Sequence, residues 1–585
     1  MSDTKGSARP GGTASRGSTS AGGETPGTKP PPDPAELSRQ IAEIAEKSQR
    51  LVADFLSRQN GEGGFGMANP MAVGAAFFEM TARMMSDPSR LVQAQLSFWN
   101  DYMTLWQRTA QRFLGGEAEP VIEAGAEDRR FRDHAWNDSA LFDYIKQSYL
   151  LTARCLQSAV KDVAGLDERT ARKVDFYTRQ FVDAIAPSNF VMTNPEVLRA
   201  TIESRGENLL NGLKNLLDDL ERGKGRLAIT MTDMAAFKIG ENVATTPGKV
   251  VYQNDLIQLL QYAPTTETVK RRPLLIIPPW INKFYILDLR PRNSFIRWAV
   301  EQGHTVFVIS WVNPDERLAE KSFEDYMREG PLAALDAIEQ ATSEREANVI
   351  GYCLGGTLLA ATLAYMTAKR DRRIKSATYF VTMVDFAEAG ELSVFIDEEQ
   401  LHALEERMEK KGYLEARDMH TTFNMLRAND LIWSFVVNNY LLGKQPFPFD
   451  LLYWNADSTR MPAAMHSFYL RKMYQENLLS QPGGITLGGV PIDLRKIKTP
   501  AFLLSTREDH IAPWRSTYAA TQIYSGPVKF VLSASGHIAG VVNAPGGKYG
   551  HWQNENNSPT PTPPFAGFPC PPGYTYDPDT VRAED

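Results

Sequence analysis

A chain of 585 residues is longer than one hydrophobic core usually holds, so two structured parts with tails are predicted. Its 43% apolar and 23% charged residues are those of an ordinary globular protein, and a net charge of −7 speaks against nucleic acid as a partner. No apolar run approaches the ~20 residues of a membrane span, no secretory signal core opens the chain, and three cysteines (Cys155, Cys353, Cys570) are too few for a disulfide framework, so a reducing, cytoplasmic setting is expected.

Residues 1–34 are Gly, Ser, Thr and Pro with almost no large apolar side chain, and are read as a disordered tail. Residues 35–240 read as a mainly helical N-terminal domain. Leu37, Ile41, Ile44, Leu51 and Phe55 recur at helical spacing, and further helical stretches fall at 72–85, 91–114, 142–164, 169–185 and 195–220. The Met, Phe and Trp side chains of 72–114, Trp99, Met103 and Trp106 among them, either pack these helices together or meet a partner or an apolar polymer. Cys155, on such a helix, reads as core.

From residue 241 to 552 the pattern changes. A hairpin over 249–262 is followed by alternating strands and helices: strands at 274–277, 305–310, 347–350 and 378–384, helices at 295–302, 323–343 and 357–366. That alternation predicts an α/β fold, a mostly parallel sheet with helices on both faces. It stops over 386–498, where a charged amphipathic stretch (398–419) precedes a run dense in aromatics, including Trp433 and Trp454. The position and length of this insertion suit a lid, whose aromatics cover an apolar channel, meet a second subunit or pack internally. Strands resume at 501–505 and 529–532.

Gly351-Tyr352-Cys353-Leu354-Gly355-Gly356 lies between a strand-like and a helix-like run. Strand, tight Gly-x-Cys-x-Gly turn and helix form the setting of a nucleophile elbow, with Cys where hydrolases usually carry Ser. Asp509 and His537 each follow a later strand, so nucleophile, acid and base come in the chain order of α/β-hydrolases. The chemistry calls for this set: a free thiol is only a few per cent thiolate near pH 7, an imidazole takes its proton, and a carboxylate holds the imidazole's tautomer. Asp385 also ends a strand and His510 adjoins Asp509, so both are alternatives.

Beside these motifs stand Pro278-Pro279-Trp280-Ile281-Asn282-Lys283-Phe284, Asn429-Asp430-Leu431-Ile432-Trp433, Phe449-Asp450-Leu451-Leu452-Tyr453-Trp454-Asn455, Arg507-Glu508-Asp509-His510-Ile511 and Ser535-Gly536-His537-Ile538-Ala539-Gly540. Together they make the chain resemble the class I polyhydroxyalkanoate synthases over about residues 120–552. The resemblance departs at the end: 553–585 is Pro-, Asn- and Gly-rich, read as a disordered tail, where the family carries a Trp-rich helical segment.

The resemblance implies an α/β-hydrolase-fold catalytic domain with a lid, and an acyltransferase that polymerises (R)-3-hydroxyacyl-CoA, expected to be the short-chain 3-hydroxybutyryl-CoA, releasing CoA through a thioester on Cys353. It assigns the acid to Asp509 and the base to His537; Asp509 either orients His537 or activates the incoming 3-hydroxyl. The oxyanion donors expected of such a fold are the N–H of Leu354, after the nucleophile, and that of Ile281, in the loop after the first buried strand. The remaining histidines show no metal-ligand spacing and no phosphate-binding glycine loop occurs, so no metal or cofactor is expected. A homodimer formed partly through the insertion, with Trp454 as an anchor, and attachment to polyester granules complete the expectation. Two rivals remain: a Cys-nucleophile hydrolase of depolymerase or dienelactone-hydrolase type, which the same fold permits, and a non-catalytic granule-coat protein.

Overall fold

The computed structural model describes residues 70–86, 88–161, 163–543, 550–553 and 575–576, with residues 39, 46 and 47. The tail at 1–34, nearly all of the first expected helix, and most of 553–585, with Cys570, lie outside the described residues.

The N-terminal part is helical: α1 (Pro70–Ser86), α2 (Pro88–Phe113), α3 (Ala140–Val160), α4 (Glu168–Ala184) and α5 (Glu207–Arg222) carry most of it. Local chemistry sets where they start. Asp167 opens α4 by accepting the Arg169 and Thr170 N–H groups, which have no partner within the helix. The apolar side chains of α1 and α2 divide between two environments. Ala72, Ala76, Met80 and Leu105 are buried, whereas Val92, Leu96, Trp99, Met103 and Trp106 are more than half exposed. The last five recur every three or four residues and so form one stripe along α2.

The second part is built on a ten-stranded sheet. Its strands are β1 (Gly248–Gln253), β2 (Ile257–Tyr262), β3 (Leu274–Ile277), β4 (Val306–Trp311), β5 (Ala347–Tyr352), β6 (Ile374–Phe380), β7 (Ala501–Thr506), β8 (Val528–Ser533), β9 (His551–Gln553) and β10 (Thr575–Tyr576). They lie in the order β1-β2-β4-β3-β5-β6-β7-β8-β9-β10. The six strands from β4 to β8 in that order run parallel, and the pairs at both edges are antiparallel. Within the tail expected to be disordered, β10 thus adds a short pairing at one edge. The parallel strands read as unbroken apolar runs because both of their faces are covered: all four residues of β3 are buried. The helix after β5, α6 (Leu354–Ala368), is buried from Leu354 to Met366 and is accordingly apolar on all sides.

Between β6 and β7 the insertion folds back over the ends of the parallel strands. The charged stretch expected as one amphipathic segment over 398–419 is two helices, α7 (Glu398–Lys411) and α8 (Ala416–Leu426). Gly412, at φ +80°, ends α7 and gives its N–H to the Met408 carbonyl, a left-handed stop that costs a residue without Cβ little. The N-terminal helices pack on this insertion. The Phe176 and Phe395 rings meet edge to face at 5.4 Å, Tyr440 Oη donates to Asp219 at 2.6 Å, and Asn208 Nδ2 donates to the Leu441 carbonyl at 2.7 Å. Gly212 allows that approach, since a Cβ there would stand 1.9 Å from the Tyr440 carbonyl oxygen.

Candidate active site

Cys353 sits between β5 and α6 at φ +51°, a conformation that L-residues adopt only when their surroundings impose it. Three glycines make the turn possible. A Cβ on Gly351 would lie 2.4 Å from Gly356 Cα, one on Gly355 2.0 Å from the Ile277 carbonyl oxygen, and one on Gly356 2.0 Å from Thr382 Oγ1. The Cys353 N–H is spent on the Phe380 carbonyl at the end of β6, at 2.9 Å. The turn is therefore clamped between β3, β6 and its own helix, with the thiol held at the top of the sheet.

Asp509 follows β7 and His537 follows β8, neighbouring parallel strands, so two residues far apart in sequence come side by side. The two loops are tied by backbone bonds: Arg507 N–H to Ser533 O at 2.8 Å and Glu508 N–H to Ser535 O at 3.0 Å. His537 Nδ1 lies 2.7 Å from Asp509 Oδ2 and donates to it, which leaves Nε2 for the thiol. Asp509 Oδ1 accepts the Ile511 and Ala512 N–H groups at 2.9 and 2.8 Å, and Thr506 Oγ1 donates to Oδ2 at 3.2 Å. Both Asp509 and His537 are buried, and the Tyr352 ring stacks over the imidazole at 6.0 Å. Burial opposes a charged imidazole at His537, but the charges of Asp509 and Cys353 and hydrogen bonds to both outweigh it and hold its pKa well above the ordinary value.

The two alternatives lie differently. Asp385 accepts from Asn477 Nδ2 at 2.8 Å and from the Ala387 N–H at 2.9 Å, away from His537. His510 shares the cavity but faces it as a neutral ring, since burial above all lowers its pKa to about 4.

Cys353 and His537 open on a cavity of about 420 Å³ that Leu354 and Ile281 also line. Neither the Leu354 nor the Ile281 N–H has an acceptor among the described residues. The Ile281 loop is held by the insertion. Its carbonyl accepts the Thr459 N–H at 2.8 Å, Asn282 Nδ2 donates to Ser458 Oγ at 3.2 Å, and Tyr285 Oη donates to Asp457 at 2.8 Å. Trp454 completes the latch, its indole N–H donating to the Lys283 carbonyl at 2.7 Å. The expectation that Trp454 anchors a subunit interface is corrected: its ring is buried in this chain's own core, among Tyr285, Ile286 and Leu287. Trp454→Ala is accordingly expected to cost about 3–5 kcal/mol of stability, seen as a large fall in the urea midpoint, and to loosen the Ile281 loop.

The insertion supplies more of the cavity wall: Phe423 and Tyr469, among the aromatics expected to cover an apolar channel, and, missed by sequence reasoning, Met419, His466 and Tyr474. No local signal marks these residues, because their spacing is that of any packed helix. Among the described residues, no group of three or more His, Cys, Asp and Glu side chains is placed to hold a metal ion, and no helix is long and apolar enough to cross a membrane.

The parallel sheet, the strained turn after β5 and the paired Asp509 and His537 loops after β7 and β8 define an α/β-hydrolase-fold protein, and residues 273–544 match the model of the alpha/beta hydrolase fold. Residues 127–299 match the model of the poly-beta-hydroxybutyrate polymerase N-terminus. The chain is 52% identical over 530 residues to the poly(3-hydroxyalkanoate) polymerase of Methylorubrum extorquens, covering 89% of this chain and 87% of that one. It is 51% identical to poly(3-hydroxyalkanoate) polymerase subunit PhaC of Rhizobium meliloti (89% and 85% covered) and 41% identical to that of Cupriavidus necator (86% and 85%). The chain belongs to the poly(3-hydroxyalkanoate) polymerase family and is an enzyme of the transferase class.

Proposed function

We propose that the chain polymerises (R)-3-hydroxyacyl-CoA, with 3-hydroxybutyryl-CoA as the preferred monomer, by carrying the acyl chain as a thioester on Cys353. The observation that carries this reading is the Asp509–His537 hydrogen bond of 2.7 Å in the cavity that Cys353 enters. His537 Nε2 takes the thiol proton; the thiolate attacks the thioester carbonyl; and the imidazolium returns the proton to the departing CoA thiolate. The N–H groups of Leu354 and Ile281 receive the oxyanion. His537 then takes the proton of the 3-hydroxyl of a second hydroxyacyl-CoA as its oxygen attacks the acyl-Cys353 carbonyl. The ester forms as the bond to Cys353 sulfur breaks, the thiolate takes the proton back from the imidazolium, and the lengthened chain, now a CoA thioester, reloads Cys353 with release of CoA. Exchange between thioesters is close to balanced, so the enzyme's task is to keep water out. The mainly apolar wall of the insertion suits that task. These steps use only side chains and backbone of this chain, and we propose no metal or cofactor.

Two further readings rest on the surface and on the family. The exposed α2 stripe, with Trp99 and Trp106, suits contact with the polyester or its granule in the cytoplasm. The stacked, exposed Phe447 and Phe449 of the insertion are the surface offered for a homodimer, in place of Trp454.

Purified protein given hydroxyacyl-CoA thioesters from three to ten carbons tests the reading. Release of CoA with polymer, fastest for the four-carbon substrate, is expected. Free hydroxy acid as the product would assign a hydrolase, and granule binding without CoA release would assign a coat protein.

A further inference from the structure

Several polar side chains of the cavity have no role in the steps above; Arg427 and Asp430 pair with each other, whereas His466 stands apart. His466 lies on the helix Ala463–Tyr469 of the insertion, lines the same cavity as Cys353 and is only 1% exposed. Neither of its ring nitrogens has a hydrogen-bond partner among the described residues. Two other enclosed imidazoles are treated differently: His537 Nδ1 pairs with Asp509, and His420 Nδ1 lies 3.1 Å from the Asn455 carbonyl while its Nε2 lies 2.9 Å from Asn424 Nδ2. Leaving two buried polar atoms unpaired is costly, and a native structure tolerates it where the group has work to do. Burial lowers the His466 pKa to about 3, so the ring is neutral and offers one N–H donor and one bare nitrogen acceptor.

We propose that His466 reads the oxygen on C3 of the acyl chain, hydrogen-bonding the 3-hydroxyl of the incoming monomer and thereby favouring 3-hydroxyacyl over plain acyl thioesters. A hydroxyl suits a neutral imidazole, because it can give a proton to the bare nitrogen or accept one from the N–H. A plain acyl chain can do neither and leaves the ring unpaired in an apolar wall made by residues such as Leu392, Met419, Phe423 and Leu470. Sites built to pair a substrate hydroxyl reject the analogue that lacks it far more strongly than apolar pockets reject an extra methylene. His466 is on this account a specificity-determining residue, and the inference rests on the reading that Cys353 carries the acyl group.

The test is single-turnover labelling of Cys353 in the full-length protein with radiolabelled 3-hydroxybutyryl-CoA and, separately, butyryl-CoA. Wild type is expected to label faster with the hydroxylated thioester. His466→Phe should narrow that preference by about ten-fold or more, and His466→Gln, which keeps a donor and an acceptor, should restore part of it. The Phe variant should melt at or above the wild-type temperature, because it removes an unpaired polar group; if it does not fold, His466→Leu takes its place in the same comparison. An unchanged preference in a folded apolar variant, or an equal loss with both thioesters, would overturn the role. Labelling of wild type by neither thioester would instead overturn the Cys353 thioester itself, and this inference with it.

Discussion

Cys353→Ser is expected to lower turnover by several orders of magnitude while leaving the fold intact. The hydroxyl is nearly isosteric with the thiol, and the turn at φ +51° is imposed by Gly351, Gly355 and Gly356 rather than by the sulfur. What changes is the acid. A serine hydroxyl gives up its proton far less readily than a thiol, and an imidazole matched to a thiol is a poor base for it. A raised His537 pKa means that the ring holds firmly the proton it takes from the thiol. Steady-state CoA release from wild type and variant measures the loss, with circular dichroism as the folding control. Activity above about a tenth of wild type would place the nucleophile elsewhere.

His537→Gln is expected to abolish labelling of Cys353 by radiolabelled acyl-CoA, since an amide cannot take the thiol proton. Asp509→Asn should weaken labelling by about three to four orders without abolishing it. An Asn Oδ1 can still accept the Ile511 and Ala512 N–H groups, but its amide then turns an N–H towards His537 Nδ1 and forces the wrong tautomer. Four donors already surround the Asp509 carboxylate, which favours orientation of His537 over direct activation of the 3-hydroxyl. Should Asp509→Asn label like wild type yet fail to elongate, the carboxylate acts on the hydroxyl itself and the triad reading falls.

The sequence by itself determined the class of fold and the order of the candidate site. These features are local: a buried parallel strand is an unbroken apolar run, as at β3, and a nucleophile turn needs glycines at fixed offsets from Cys353. Asp509 and His537 were legible for the same reason, each standing just past its own strand; adjacent parallel strands then bring their ends together. The insertion was not legible in this way. Its aromatics have the composition of an interface as much as of a core, and only the long-range latch between Trp454 and the Lys283 carbonyl decided that this one is internal. The stripe on α2 could have been packed or open, and the fold buries Leu105 while leaving Trp99 and Trp106 outside. His466 was one histidine among eight in the sequence, without a motif around it. Its burial, its unpaired nitrogens and its place in the Cys353 cavity arise from contacts between segments more than a hundred residues apart, which no local pattern encodes.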